Sequence, residues 1–149
     1  MHVRLALNTD CEAIVRMAQQ NSVTSNVKFD AMRVRETFSR YLRTAHPTFF
    51  VVARTPTGKA IGFLEATING YDYRSGVYVA QKVLFVSPEN RGTRAAVRLT
   101  KHLIAWAKSL NAVEIVGGND NGYQSERTAA FLEHFGFRRA GIVMTMALS

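Results

Sequence analysis

The sequence predicts a mixed α/β layer fold, one domain over residues 1–149. Three observations carry that expectation. The chain has 149 residues, 47% of them hydrophobic and 20% charged, which is one core's worth of material without metal or disulfide staples. Its hydrophobic periods switch between strand-like alternation and helical spacing in the order β-α-α-β-β-β-α-β-α-β. It also contains no repeats, linkers or low-complexity segments that would divide it.

Each element follows from local chemistry. His2 to Leu7 alternates and ends at Asn8-Thr9-Asp10, a good helix start, after which Ala13, Ile14, Met17 and Ala18 recur at helical spacing. Asp30 can cap a second helix, with Val34, Phe38, Tyr41 and Leu42 on one face. Arg33, Arg35, Arg40 and Arg43 mostly take its other face, and His46-Pro47 ends it. TFFVVAR, the turn Thr55-Pro56-Thr57-Gly58 and KAIGFLEATI read as a hairpin. NGYDYRSG then leads to GVYVAQKVLFV, a long β-rich run ending at Ser87-Pro88. A third helix is predicted from about Thr93 to Leu110, with Ala96, Leu99, Leu103, Trp106 and Leu110 forming one buried stripe. AVEIV is a fifth strand and GGNDNGYQS a loop. SERTAAFLEHF is a helix closed by Gly136, and the tail GIVMTMAL alternates as a last strand.

Composition excludes several classes. Runs such as Phe49-Phe50-Val51-Val52-Ala53 fall far short of the roughly 20 residues that span a bilayer. The amino terminus has too short an apolar run for a secretory signal, so a cytoplasmic location is expected. Cys11 is the single cysteine, which rules out an intrachain disulfide and a cysteine-based metal cluster. Its neighbours Ala13, Ile14 and Met17 suggest a packed thiol, and no metal is expected. The formal net charge of +8 favours an anionic partner: nucleic acid, a phosphate-rich cofactor or an acidic substrate. Against nucleic acid, the chain lacks a recognisable helix-turn-helix, zinc finger or basic-aromatic RNA motif.

The stretch VSPENRGTRAAVRL places Arg91, Arg94 and Arg98 around a helix start, with only Glu89 nearby to compensate. Unpaired N–H groups make a helix N-terminus locally positive, so arginine is the wrong charge there unless an anion joins it. A strand, a short glycine-bearing loop and a helix start together form a ready anion site.

Val86-x-Pro88-x-x-Arg91-Gly92, an amphipathic helix, a strand and then AFLEHFGF with Gly136-Phe137 resemble the GNAT superfamily of acyl-CoA-dependent N-acyltransferases. The resemblance implies a mostly antiparallel sheet of six to seven strands, splayed between strands four and five, with about four helices. It implies that acetyl-CoA is the acyl donor, its pyrophosphate cradled by Arg91, Gly92, Thr93, Arg94, Ala95 and Ala96, with charge from Arg91, Arg94 or Arg98. In the family's pattern Arg94 stands where glycine is usual. Leu84, Phe85 and Val86 would pair with the pantetheine arm and leave an N–H near the thioester oxygen. Ser125 matches the family's helix-start asparagine, and Leu132 occupies its usual tyrosine position. Tyr123 is then the substitute acid, while Glu65 or Glu114 would activate a water as base. The implied acceptor is an amine of a small molecule or peptide, rimmed by Tyr71, Tyr73 and Asn119. Family members often dimerise, so a homodimer is a further expectation. The alternatives are a basic nucleic-acid-binding domain and a catalytically degenerate, CoA-binding regulator.

Overall fold

The computed structural model describes residues 1–44, 48–118 and 124–148. In chain order these form β1 (His2–Leu5), a 3-10 turn (Asn8–Asp10), α1 (Cys11–Thr24), α2 (Ala31–Arg43), β2 (Thr48–Arg54), β3 (Ala60–Gly70) and β4 (Val77–Val86). A second 3-10 turn (Pro88–Asn90), α3 (Ala95–Ser109), β5 (Ile115–Val116) and α4 (Ser125–Glu133) follow. The chain divides into two compact units, Met1–Val116 and Gly117–Ser149. No helix among the described residues is long and apolar enough to cross a membrane.

The first unit is a sheet of order β1-β2-β3-β4-β5. It is antiparallel from β1 to β4 and parallel between β4 and β5. Strand alternation divides its side chains between two cores. Phe49, Val51, Leu64 and Val79 meet Ala95, Leu99 and Leu103 of α3 on one face. Phe50, Val52, Phe63 and Phe85 meet Ile14 and Met17 of α1 and Phe38 and Tyr41 of α2 on the other. β2 is covered on both faces, which is why TFFVVAR reads as a continuous apolar run. Each large side chain enclosed this way contributes about 1.5–3 kcal/mol before entropy is counted.

Local signals set the helix ends. The Asp30 carboxylate accepts from the N–H groups of Met32 at 3.0 Å and Arg33 at 3.4 Å, the cap expected for α2. α4 ends at Gly136, whose φ of +96° lets the Phe137 N–H reach back to the Leu132 carbonyl at 3.3 Å. α3 rotates slightly from its expected stripe. Ala95, Leu99, Leu103 and Ala107 are buried, whereas Ala96, Trp106 and Leu110 are only partly covered. Trp106 stacks on Phe49 at a centroid distance of 4.1 Å, so a wide indole is served at the edge of the stripe. On α2, Phe38 and Tyr41 are buried as expected, but Leu42 is exposed.

The sheet has five strands among the described residues, where six to seven were expected. AVEIV contributes only Ile115–Val116, and GIVMTMAL carries no strand. Alternation decides which face a strand would bury, but a strand exists only where a neighbour takes up its backbone hydrogen bonds. The tail's Ile142, Val143, Met144, Met146 and Leu148 are accordingly exposed.

Candidate functional site

β4 and β5 part almost as soon as they meet. Their pairing covers only Val79 with Ile115 and Ala80 with Val116. Beyond it, Gln81 to Val86 have no strand on that side among the described residues, an open edge of about 17 Å at ~3.3 Å per residue. This is the expected splay between strands four and five.

The open edge runs into a firmly built loop. The Asn90 amide donates to the Ser87 hydroxyl at 2.8 Å, and the Thr93 hydroxyl donates to the Asn90 carbonyl at 2.7 Å. Gly92 turns the chain with φ +90°, a conformation that side chains rarely adopt. Arg94 lies just before α3 with φ −84°, so its side chain sits there without strain. The backbone therefore requires glycine at Gly92 and admits a side chain at Arg94. Among the described residues the N–H groups of Gly92, Arg94, Ala96 and Val97 have no protein acceptor, while that of Ala95 has the Thr93 hydroxyl at 3.3 Å. No acidic residue lies in the first turn of α3. Free donors and positive dipole thus meet at the start of α3 with no acidic partner among the described residues.

The three arginines differ in what they already hold. Arg91 Nε donates to the Val86 carbonyl at 3.1 Å, which fixes its guanidinium at the end of the open edge. Arg98 Nη1 donates to the Met1 carbonyl at 2.6 Å and ties down the amino terminus. The Arg94 guanidinium has no hydrogen-bond partner among the described residues. Arg91 and Arg94 are therefore the charges best placed for an anion.

A bulge marks the middle of β4. Glu65 pairs with Val83 and Ala66 with Gln81, leaving Lys82 as the extra residue. Glu65 is half-buried, with Phe50 opposite it on β2 and Val83 on β4. Burial pushes its carboxyl above the ordinary 4.5, and Lys82 pulls it partly back. Nothing among the described residues hydrogen-bonds to it. The Gln81 Oε1, at the point where the edge opens, is buried with no hydrogen-bond partner among the described residues. Glu65, opposite Val83, therefore sits one residue along the ladder from Leu84, two from Phe85 and three from Val86.

The remaining expected residues are elsewhere. Tyr71 and Tyr73 lie at the Val77 end of β4, about 30 Å along the strand from Val86. Tyr71 donates its hydroxyl to Glu114 Oε2 at 2.5 Å, so Glu114 is engaged there, whereas Tyr73 is 99% exposed. Ser125 is the first residue of α4, and Leu132 is buried on the same helix. Asn119 and Tyr123 lie outside the described residues. Cys11 is half-buried, and burial pushes its thiol above its ordinary value, the opposite of an activated nucleophile.

One ionic centre joins residues far apart in the sequence. Asp10 is fully buried, bonded to Arg4 at 2.6 Å, to Arg54 and to the Leu7 N–H at 2.7 Å. Its helix-start position was legible. The arginine 44 positions away was not.

The sequence profile of the Acetyltransferase (GNAT) family matches residues 14–137. No curated protein matches the chain by sequence. Among solved structures, a Trypanosoma brucei acetyltransferase superposes with TM-score 0.77 at 18% identity, covering 99% of each chain. Glucosamine-6-phosphate N-acetyltransferase from Arabidopsis thaliana gives TM-score 0.81 at 15% identity, covering 99% of this chain and 98% of that one. A predicted acetyltransferase from Clostridium acetobutylicum, solved with acetyl-CoA, gives 0.79 at 15% over 99% and 96%. At these identities the likeness shows the fold.

Proposed function

The chain belongs to the acetyltransferase (GNAT) family, and on that premise we propose that it transfers an acetyl group from acetyl-CoA to a primary amine of a small molecule or peptide. The observation that carries this reading is the continuity of the open β4 edge, Gln81 to Val86, with the free N–H groups at the start of α3. The donor set fits the proposed cosubstrate. Backbone N–H groups of Gly92, Arg94 and Ala96, with Arg91 and Arg94, suit a pyrophosphate. The unpaired edge through Leu84, Phe85 and Val86 suits the amides of an extended pantetheine arm. Acetyl-CoA bound there supplies the activated thioester.

In this proposal an N–H on the open edge near the bulge stabilises the developing oxyanion. Glu65 takes a proton from the acceptor ammonium through a water, which frees the amine lone pair for attack, and its raised pKa brings it nearer a base's working range. The amine adds to the thioester carbonyl to form the N–C bond of a tetrahedral intermediate, whose collapse breaks the C–S bond; the nitrogen gives up its remaining extra proton to solvent, and the departing thiolate is protonated by Tyr123 or solvent. Leu132, at the position where family members often carry the acid, supports a second reading in which CoA is bound without transfer. Mass spectrometry of an amine panel incubated with acetyl-CoA separates the two. A mass gain of one acetyl group on any amine supports transfer, and CoA binding with no acetylated product across the panel supports the second reading.

A further inference from the structure

The end of the sheet opposite the α3 loop carries a cluster that the transfer chemistry leaves unused. The rings of Tyr71 and Tyr78 lie 5.0 Å apart between centroids. The Tyr71 hydroxyl donates to Glu114, and the Arg74 guanidinium carbon lies 5.3 Å from the centre of the Tyr71 ring. The backbone holds these groups in register: the Glu114 carbonyl accepts from the Val79 N–H at 3.0 Å, and the Val113 N–H donates to the Val77 carbonyl at 2.8 Å. An aromatic face beside an oriented carboxylate attracts a cation twice over, through the ring quadrupole and through charge. The ring already holds a cation, and a loosely held one. Arg74 is exposed, and its one hydrogen bond within the described residues goes to the neighbouring Ser75 carbonyl at 3.0 Å.

Charge balance singles out this corner. The chain as a whole is +8 and repels cationic molecules. Here Glu114 faces the Tyr71 ring opposite a single cation, Arg74, and the exposed Asp72 is the next residue in the chain. Tyr78 precedes Gln81, where the β4 edge opens, by three residues, or about 10 Å along the strand. Resting on the acetyl-transfer reading above, we infer that this corner binds a second positive charge on the acceptor, with Arg74 displaced from the Tyr71 ring. The acceptor is then a primary amine that carries another cationic group about 10 Å away. A polyamine and a basic peptide share that chemistry.

Calorimetry on the protein without CoA tests it through binding alone. Diaminooctane and octylamine share one carbon chain and differ in the second charge. A short lysine peptide bearing arginine, and the same peptide with glutamine in its place, form the matching pair for a peptide acceptor. In at least one pair the dication binds about fivefold more tightly, and the pair that responds identifies the source. Glu114→Gln removes that preference, and Arg74→Gln, by clearing the ring, enlarges it. Both residues are exposed, so an unchanged Tm verifies that the variants are folded. No preference in either pair, or a preference that survives Glu114→Gln, overturns the inference. Acetyl-CoA binding, measured separately with no amine present, reports on the underlying reading.

Discussion

Asp10 and Glu65 are both carboxylates withdrawn from water, and their surroundings are opposite. Asp10 is fully enclosed between Arg4, Arg54 and the Leu7 N–H. Burial raises its pKa, but the Arg4 and Leu7 hydrogen bonds and the charge of Arg54 outweigh it and hold the carboxyl below the ordinary 3.8. Glu65 is half-buried between Phe50 and Val83, with Lys82 alone pulling against burial, and its carboxyl lies above the ordinary 4.5. A buried charge with every lone pair taken up joins β1, β2 and the start of α1 into one piece. One left without hydrogen bonds stays ready to exchange a proton. The two environments set a carboxylate held by hydrogen bonds and charge apart from one held by burial alone, the one proposed as the base.

The largest expected effect is on catalysis. Glu65→Gln lowers kcat by about 100-fold with KM little changed, measured by steady-state acetylation of whichever amine the panel identifies. Asp10→Ala, assayed well below its melting temperature, keeps kcat near wild type. A similar loss in both variants breaks the distinction.

Stability should show the reverse ranking. Asp10→Ala strands two arginines and costs about 3 kcal/mol, read from urea unfolding. Glu65→Gln removes a poorly solvated charge and changes stability by about 1 kcal/mol or less.

The pH dependences carry opposite signs. Asp10 has a lowered folded pKa, so its stabilisation is complete above 3.8 and is lost as pH falls through the folded value. Glu65 has a raised folded pKa, so stability is greatest below 4.5 and declines as pH rises through the folded value. Urea titrations across pH should show the acid loss disappearing in Asp10→Ala and the higher-pH decline disappearing in Glu65→Gln. On the activity side, kcat rises with pH as Glu65 ionises above 4.5.

What the sequence made legible tracks how local each feature is. Asp30, Gly136 and the strand-loop-helix run from Leu84 to Leu110 are decided within a few residues, and the structure has them in place. The separation of β4 and β5 was legible through family resemblance. Glu65 was named from its strand position, but its burial depends on Phe50 and Val83 of neighbouring strands. Partners distant in sequence escaped altogether: Arg54 to Asp10, Arg98 to Met1 and Tyr71 to Glu114. The tail alternates convincingly, yet alternation alone does not make a strand, and GIVMTMAL carries none.

The most direct test of the central claim is calorimetry with acetyl-CoA on the wild-type chain, Arg91→Glu and Lys108→Glu. One binding site is expected, weakened about tenfold by reversal at Arg91, beside the loop N–H groups, and little changed by reversal at Lys108 in the last turn of α3. Absence of binding at submillimolar acetyl-CoA, or equal losses in the two variants, would contradict it.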